Sequence, residues 1–251
     1  MRTKTLLIAA AALAAGVISS QAQVYSQNIV GYANVPTPSS GTYYMLECPF
    51  QVGASNGVNE VFGATLPDQS QVLTWDVVHQ TYDVALYDST QPVTGVTWYE
   101  IDDGTPLATI PTIPAGTGFF LLPAGGLTNV FSGTVSVAIG GTNTASLPSS
   151  GTYYMVGSTI PFAGYVTNVT AGTSVGINLV NLPDQSQVLT WDVGLQSYVV
   201  ALYDDTQPVP PNNWYLIDDG TPTDCPNITV GQGFFILPAG SYNWVQALPS
   251  N

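Results

Sequence analysis

From residue 5 to residue 251 the chain contains no lysine and no arginine. Its two basic residues, Arg2 and Lys4, stand at the extreme N-terminus, and its only histidine is His79. No guanidinium is therefore present in the body of the chain to clamp a phosphate or a carboxylate, and no salt bridge to Lys or Arg can form there. Nucleic-acid binding needs cations against phosphates and is excluded as a function, and anionic membrane surfaces are excluded on the same ground. With one His and no Lys, Ser-His-Asp and Ser-Lys schemes have little material to work with. Thiols are scarce too: Cys48 and Cys225 are the only two.

Long apolar runs are confined to the start. Leu6 to Ile18 follows the basic pair and leads to Ser20-Gln21-Ala22, the pattern of a secretory signal peptide spanning residues 1–22, with cleavage after Ala22. The run is too short to span a bilayer comfortably. No Cys follows the cut, which argues against a lipid anchor of the bacterial lipoprotein kind. The expected product is soluble and secreted, extracellular or periplasmic. All sixteen Asp and Glu lie beyond residue 46, so its formal side-chain charge is near −16. Such an acidic surface attracts cations or a basic partner, or simply keeps the protein in solution.

What the chain does have is repetition. Leu66-Pro-Asp-Gln-Ser-Gln-Val-Leu-Thr-Trp-Asp-Val77 recurs letter for letter as Leu182 to Val193, and Ser39 to Met45 recurs as Ser149 to Met155. Two copies of one small domain are expected, over residues 23–139 and 147–251, with a short flexible linker at residues 140–146. Leu-Pro-Asp fixes a turn, and Leu73, Trp75 and Val77 then alternate with Thr74 and Asp76 as in a half-buried strand. Tyr82, Val84 and Leu86 alternate again after a short gap, which predicts a β-hairpin. Trp98 to Asp102 and Trp214 to Asp218 run into Asp-Gly-Thr-Pro turns. Gly116-Thr-Gly-Phe-Phe-Leu-Leu-Pro123 and Gly231-Gln-Gly-Phe-Phe-Ile-Leu-Pro238 are apolar on both faces and read as doubly covered strands. Gly57 to Ala64, capped by Asn56, is the best helical stretch in the first copy. Few charges and abundant Thr, Val, Tyr, Gly and Pro favour strands and turns. The expected fold is all-β: two tandem antiparallel sandwiches or partly open barrels, with Trp75, Phe119, Phe120 and their counterparts in the core.

Ser26-Gln-Asn-Ile-Val-Gly-Tyr32, the Trp-Asp strand and the Gly-x-Gly-Phe-Phe strand together resemble a family of small secreted all-β proteins of verrucomicrobial type. The resemblance covers most of the chain beyond residue 22, twice over. It implies export and an all-β fold, and transfers no catalytic residue.

Several constellations invite chemistry. His79 sits at the predicted hairpin tip, where the second copy has Leu195, and reads as an incidental exposed loop residue, since a general base also needs an orienting partner at fixed geometry. Asp102-Asp103 and Asp218-Asp219 each precede Gly-Thr-Pro, the reverse of the Asp-Thr-Gly order of aspartic proteases, and read as turns. Those four acids with Asp204 and Asp205 also offer oxygens for Ca²⁺, without EF-hand spacing. Gly116-x-Gly118 is no dinucleotide loop, because a strand follows where a helix should start. Trp98, Trp214, Tyr87 and Tyr203 are candidates for an exposed sugar-stacking platform, or for core packing. The repeat counterparts of Cys48 and Cys225 are Ser158 and approximately Thr109, so neither copy holds an internal pair, and both thiols read as unpaired. The functional expectation is a non-enzymatic structural or interaction protein of the cell surface or matrix, without a required cofactor. Its alternative is a glycan-binding module using exposed Trp and Tyr, with or without the assistance of calcium; the partner is then a polysaccharide, and otherwise a surface protein.

Overall fold

The computed structural model describes residues 29–63, 65–91, 97–206 and 213–250. The signal-peptide segment, residues 26–28 of the family-like start and Ala64 lie outside them. In chain order the first copy comprises β1 (Val30–Thr37), β2 (Tyr44–Glu47), α1 (Val58–Phe62), β3 (Gln71–Asp76), β4 (Thr81–Tyr87), β5 (Trp98–Glu100), β6 (Gly118–Leu122) and β7 (Leu127–Thr134). The second comprises β8 (Thr142–Leu147), β9 (Tyr154–Val156), β10 (Gly164–Tyr165), β11 (Gln187–Asp192), β12 (Ser197–Tyr203), β13 (Trp214–Leu216), β14 (Asn227–Ile228), β15 (Phe234–Leu237) and β16 (Tyr242–Ala247).

Each copy is an antiparallel sandwich. One layer is a five-stranded sheet, ordered β2-β6-β3-β4-β5 in the first copy and β9-β15-β11-β12-β13 in the second. Facing it is a two-stranded ribbon, β1 with β7 or β8 with β16. The strands do not close into a barrel. Phe119, Phe131, Val72 and Trp98 fill the first interior, and Phe234, Trp244, Val188 and Trp214 the second.

The repeated stretch folds identically in both places, and its letters explain why. Ser70 Oγ donates to the Pro67 carbonyl at 2.6 Å and accepts from the Ala124 amide at 3.1 Å, which ties the turn to the end of β6. Gln69 and Gln185 take the left-handed conformation that closes the turn, at φ 70 and 67. Asp76 ends β3 and caps the hairpin, with Oδ1 accepting from the Val78 amide at 2.7 Å and the His79 amide at 3.1 Å. Asp192 does the same for Gly194 and Leu195 at 2.8 and 2.9 Å. The predicted hairpin is formed in register, with Trp75 opposite Tyr82 and Trp191 opposite Tyr198.

Three expectations are corrected. Thr142–Leu147, which takes up most of the expected linker and the first residue of the second copy, is strand β8, because its backbone pairs along its whole length with β16. The helix is only Val58–Phe62, and its N-cap is Gly57. Asn56 is instead fully buried at positive φ, with its carboxamide oxygen accepting from the Val52 amide at 2.8 Å. Glu60 folds back over this corner and accepts from the amides of Ala54, Ser55 and Gly57 at 3.1, 3.2 and 3.0 Å. Finally, Trp75 and Phe120 do not belong to the domain core but to the opposite face of the sheet.

That opposite face joins the two copies. Period-two alternation turns Leu73, Trp75 and Tyr82 away from the ribbon, and with Met45 and Phe120 they meet Met155, Leu189, Trp191, Val200 and Phe235 of the second copy. The contacts are reciprocal, as in an isologous dimer. Trp75 Nε1 donates to the Tyr153 carbonyl and Trp191 Nε1 to the Tyr43 carbonyl, each at 2.9 Å. Gln80 Oε1 accepts from the Tyr153 amide and Gln196 Oε1 from the Tyr43 amide, again both at 2.9 Å. The Tyr82 and Tyr198 hydroxyls meet each other at 2.7 Å. Edge-to-face ring pairs such as Trp75 with Phe235 and Trp191 with Phe120, at 5.1 and 4.9 Å, add about 0.5–1.5 kcal/mol each beyond burial.

The Gly-x-Gly motif lies at the edge of the same contact. Gly157 donates its amide to the Gly116 carbonyl and Glu47 donates to Gly231, both at 2.9 Å. Gly116 and Gly231 have φ 85 and 82, and a Cβ at either would strike Thr159 or Val35 from the other copy. A Cβ at Gly233 would press on the Leu46 carbonyl. The motif is glycine because another backbone passes there.

Candidate functional site

A groove of about 800 Å³ lies on the first copy, over the far end of the β3–β4–β5 face. Thr74 stands opposite Asp83 and Ala85 opposite Glu100, so these four side chains share the sheet face that further along carries Val72 and Trp98. Leu107, Ile110 and Pro111 form an apolar wall, and Ile101 and Asp102 lie at the rim. Asp83, Glu100 and Asp102 are all exposed. Trp75 and Tyr82 also contribute to the lining, but their rings are engaged between the copies. The groove therefore offers separated carboxylates beside an aliphatic wall, and no Lys or Arg stands among the described residues to neutralise them.

The second copy lacks this chemistry. Val199 stands opposite Thr190 and Leu216 opposite Ala201, where the first copy has Asp83 and Glu100. In the sequence the signal of both acids is a change between otherwise parallel strands of the two copies, Glu100 to Leu216 and Asp83 to Val199.

The proposed aromatic platform is corrected. Trp98 and Trp214 are each 2% exposed, packed edge-on or tilted against Tyr87 and Tyr203 at 5.4 Å within their own sandwiches. The Trp98 indole donates to Asn59 Oδ1 at 2.5 Å. These rings are structural, and no sugar face can stack on a tryptophan so deeply covered.

Of the six acids read as calcium ligands, Asp103, Asp204 and Asp219 accept hydrogen bonds within their own turns. Asp103 Oδ1 accepts from the Thr105 amide, and Asp219 Oδ1 from the Thr221 amide, each at 2.9 Å. These bonds hold both carboxyls below the usual range. Asp204 accepts from the Thr206 hydroxyl at 2.6 Å, and Asp205 donates its amide to Asp184 at 2.9 Å. Desolvation, then the Asp184 charge, raises the Asp205 pKa. Asp102 and Asp218 occupy the matching exposed turns. Among the described residues, no three His, Cys, Asp or Glu side chains converge as a metal site.

His79 stays at the exposed hairpin tip, its Nδ1 2.6 Å from Asp76 Oδ2, and that hydrogen bond raises its pKa. Cys48 and Cys225 are buried and free, one in each sandwich. Burial pushes the Cys48 thiol up to about 12, so it is a poor nucleophile. Cys48 Sγ faces the Phe50 carbonyl at 3.6 Å, just as Ser158 Oγ faces that of Ile160.

No helix among the described residues is long and apolar enough to cross a membrane. No family profile, curated protein or solved structure matches the chain.

Proposed function

We propose that the chain is an exported, non-enzymatic interaction protein whose first copy holds a cationic segment of a surface protein in the β3–β5 groove. The observation that supports this is the copy-specific pair Asp83 and Glu100 on an otherwise shared framework. Carboxylates spaced along an aliphatic wall suit Lys or Arg side chains, whose apolar stems lie on Leu107 and Ile110 while the charged heads reach the acids. The second copy, with Val199 and Leu216 at these places, serves as the scaffold that braces the first. Both acids stand exposed to water rather than in a water-excluded site, which is why binding is preferred over catalysis.

The test replaces the groove acids with the residues the other copy already tolerates. Asp83→Val with Glu100→Leu is expected to weaken binding of a short Lys-Leu-Lys peptide by roughly tenfold or more in calorimetry, about 1.4 kcal/mol. Asp218→Asn with Asp219→Asn removes the same charge from the second copy and is expected to leave affinity within about twofold. Equal losses in the two variants would reduce the attraction to net charge and sink the groove.

A further inference from the structure

Among the described residues, Glu47 is the acid buried in the contact between the copies. It is 1% exposed, and its Oε2 has no hydrogen-bond partner. The repeat places Gly157 at the equivalent position of the second copy, and there the two residues meet. A Cβ on Gly157 would collide with the Cβ and Cγ of Glu47. The first copy thus inserts a carboxyl where the second has left room for it. Both belong to the backbone seam: Glu47 N–H to the Gly231 carbonyl, Gly157 N–H to that of Gly116, and Gly233 N–H to that of Met45 at 3.2 Å.

We infer that Glu47 is a pH-sensitive latch, closing the seam between the copies while protonated and loosening it on ionisation. An ionised carboxylate with an unpartnered oxygen in a buried seam carries a large desolvation penalty. None of the surrounding elements can offset it. β2 itself carries Tyr44 and is followed by Cys48, β9 carries Tyr154, and residues 116–118 and 230–233 carry no ionisable side chain. There is no Lys or Arg among the described residues to reach it. Desolvation holds its pKa well above the ordinary carboxylate value, against a backbone hydrogen bond from Gly231 that pulls the other way. The folded-state pKa is raised, so this stabilisation is complete below the unfolded carboxylate range and is lost as pH rises towards the folded value.

The experiment compares the full chain with Glu47→Gln, which keeps the shape and cannot ionise. Melting temperatures are expected to coincide near pH 4 and to separate by on the order of 5 °C by pH 8, the variant being the more stable. Asp224→Asn, an exposed acid, is expected to open no such pH-dependent gap beyond about 1 °C. Amide exchange, corrected for its intrinsic pH dependence, is expected to show Glu47 and Gly157 losing protection with rising pH in the native chain and not in Glu47→Gln. Parallel melting profiles would overturn the latch. So would a gap without loss of protection at the seam, since ionisation would then cost stability without opening it.

Discussion

The two copies make matching contacts over most of the face by which they touch, Glu47 against Gly157 excepted, and several of their differences lie away from it. Trp75 and Trp191, Gln80 and Gln196, Phe120 and Phe235 make matching contacts across the junction. Away from it the copies part. The first packs α1 beside its ribbon, whereas the second has the small β10–β14 pair. The first buries Asn129, whose amide donates to Thr37 Oγ1 at 3.2 Å, where the second buries Trp244 beside Leu147. The groove acids follow the same rule. The lesson is that the shared letters encode a two-sided junction rather than a common ligand site, so function is sought among the differences.

The strongest way to break this comparison is at the junction rings. Phe120→Ala and Phe235→Ala each remove a ring that is 4% or 3% exposed. Each is expected to cost about 3–5 kcal/mol in denaturant unfolding, and the two losses should agree within roughly 1 kcal/mol. Agreement would mark the junction as energetically two-sided; a difference of several kcal/mol would show that one copy carries it.

Much of this was legible in the chain, for specific reasons. Trp75 and Tyr82 alternate with polar residues over enough positions to declare a strand pair, and exact repetition of Leu66 to Val77 declared the second copy. Periodicity says which residues share a face, not which face meets solvent, so the junction face of β3 and β4 looked like core. Trp98 lies in a three-residue strand beside exposed Glu100, too short for any alternation to place its ring. β8 escaped notice because Thr-Asn-Thr-Ala-Ser-Leu carries one large apolar residue, and what makes it a strand is pairing with β16, about a hundred residues away. The groove depends on Leu107 to Pro111 folding over the sheet, a tertiary fact that no local pattern records.

A smaller effect sharpens the comparison on the acid side. Asp88 and Asp204 are buried to 5% and 4% exposure and accept from Thr90 and Thr206 hydroxyls at 2.7 and 2.6 Å. The Thr90 hydroxyl bond, first among the causes, brings Asp88 down to about 2. A depressed folded-state pKa contributes stability above the unfolded carboxylate range and loses it as pH falls towards 2. Asp88→Asn and Asp204→Asn are expected to flatten the acid limb of the melting profile alike, by a few degrees between pH 5 and pH 2. A response in only one variant would show that the turns are not equivalent. With Glu47 acting in the opposite direction, the native chain should be most stable in mild acid.

The smallest expected effect concerns calcium, and it separates the acidic turns from the groove. About sixteen carboxylates without counter-charges repel one another, so any salt should raise the melting temperature by screening. A specific calcium site requires several oxygens converging on one point. Asp103 and Asp219 each have an oxygen engaged by a threonine amide, and their partners Asp102 and Asp218 sit in the same one-turn loops. Both copies hold this turn with matching bonds, so one turn should respond as the other does. Millimolar CaCl₂ and NaCl at matched ionic strength are therefore expected to shift the melting temperature equally, within about 1 °C. An excess shift in calcium that disappears in Asp102→Asn or Asp218→Asn would place a cation at these turns. An excess that disappears only in Asp83→Val with Glu100→Leu would place it in the groove and change the ligand class proposed there.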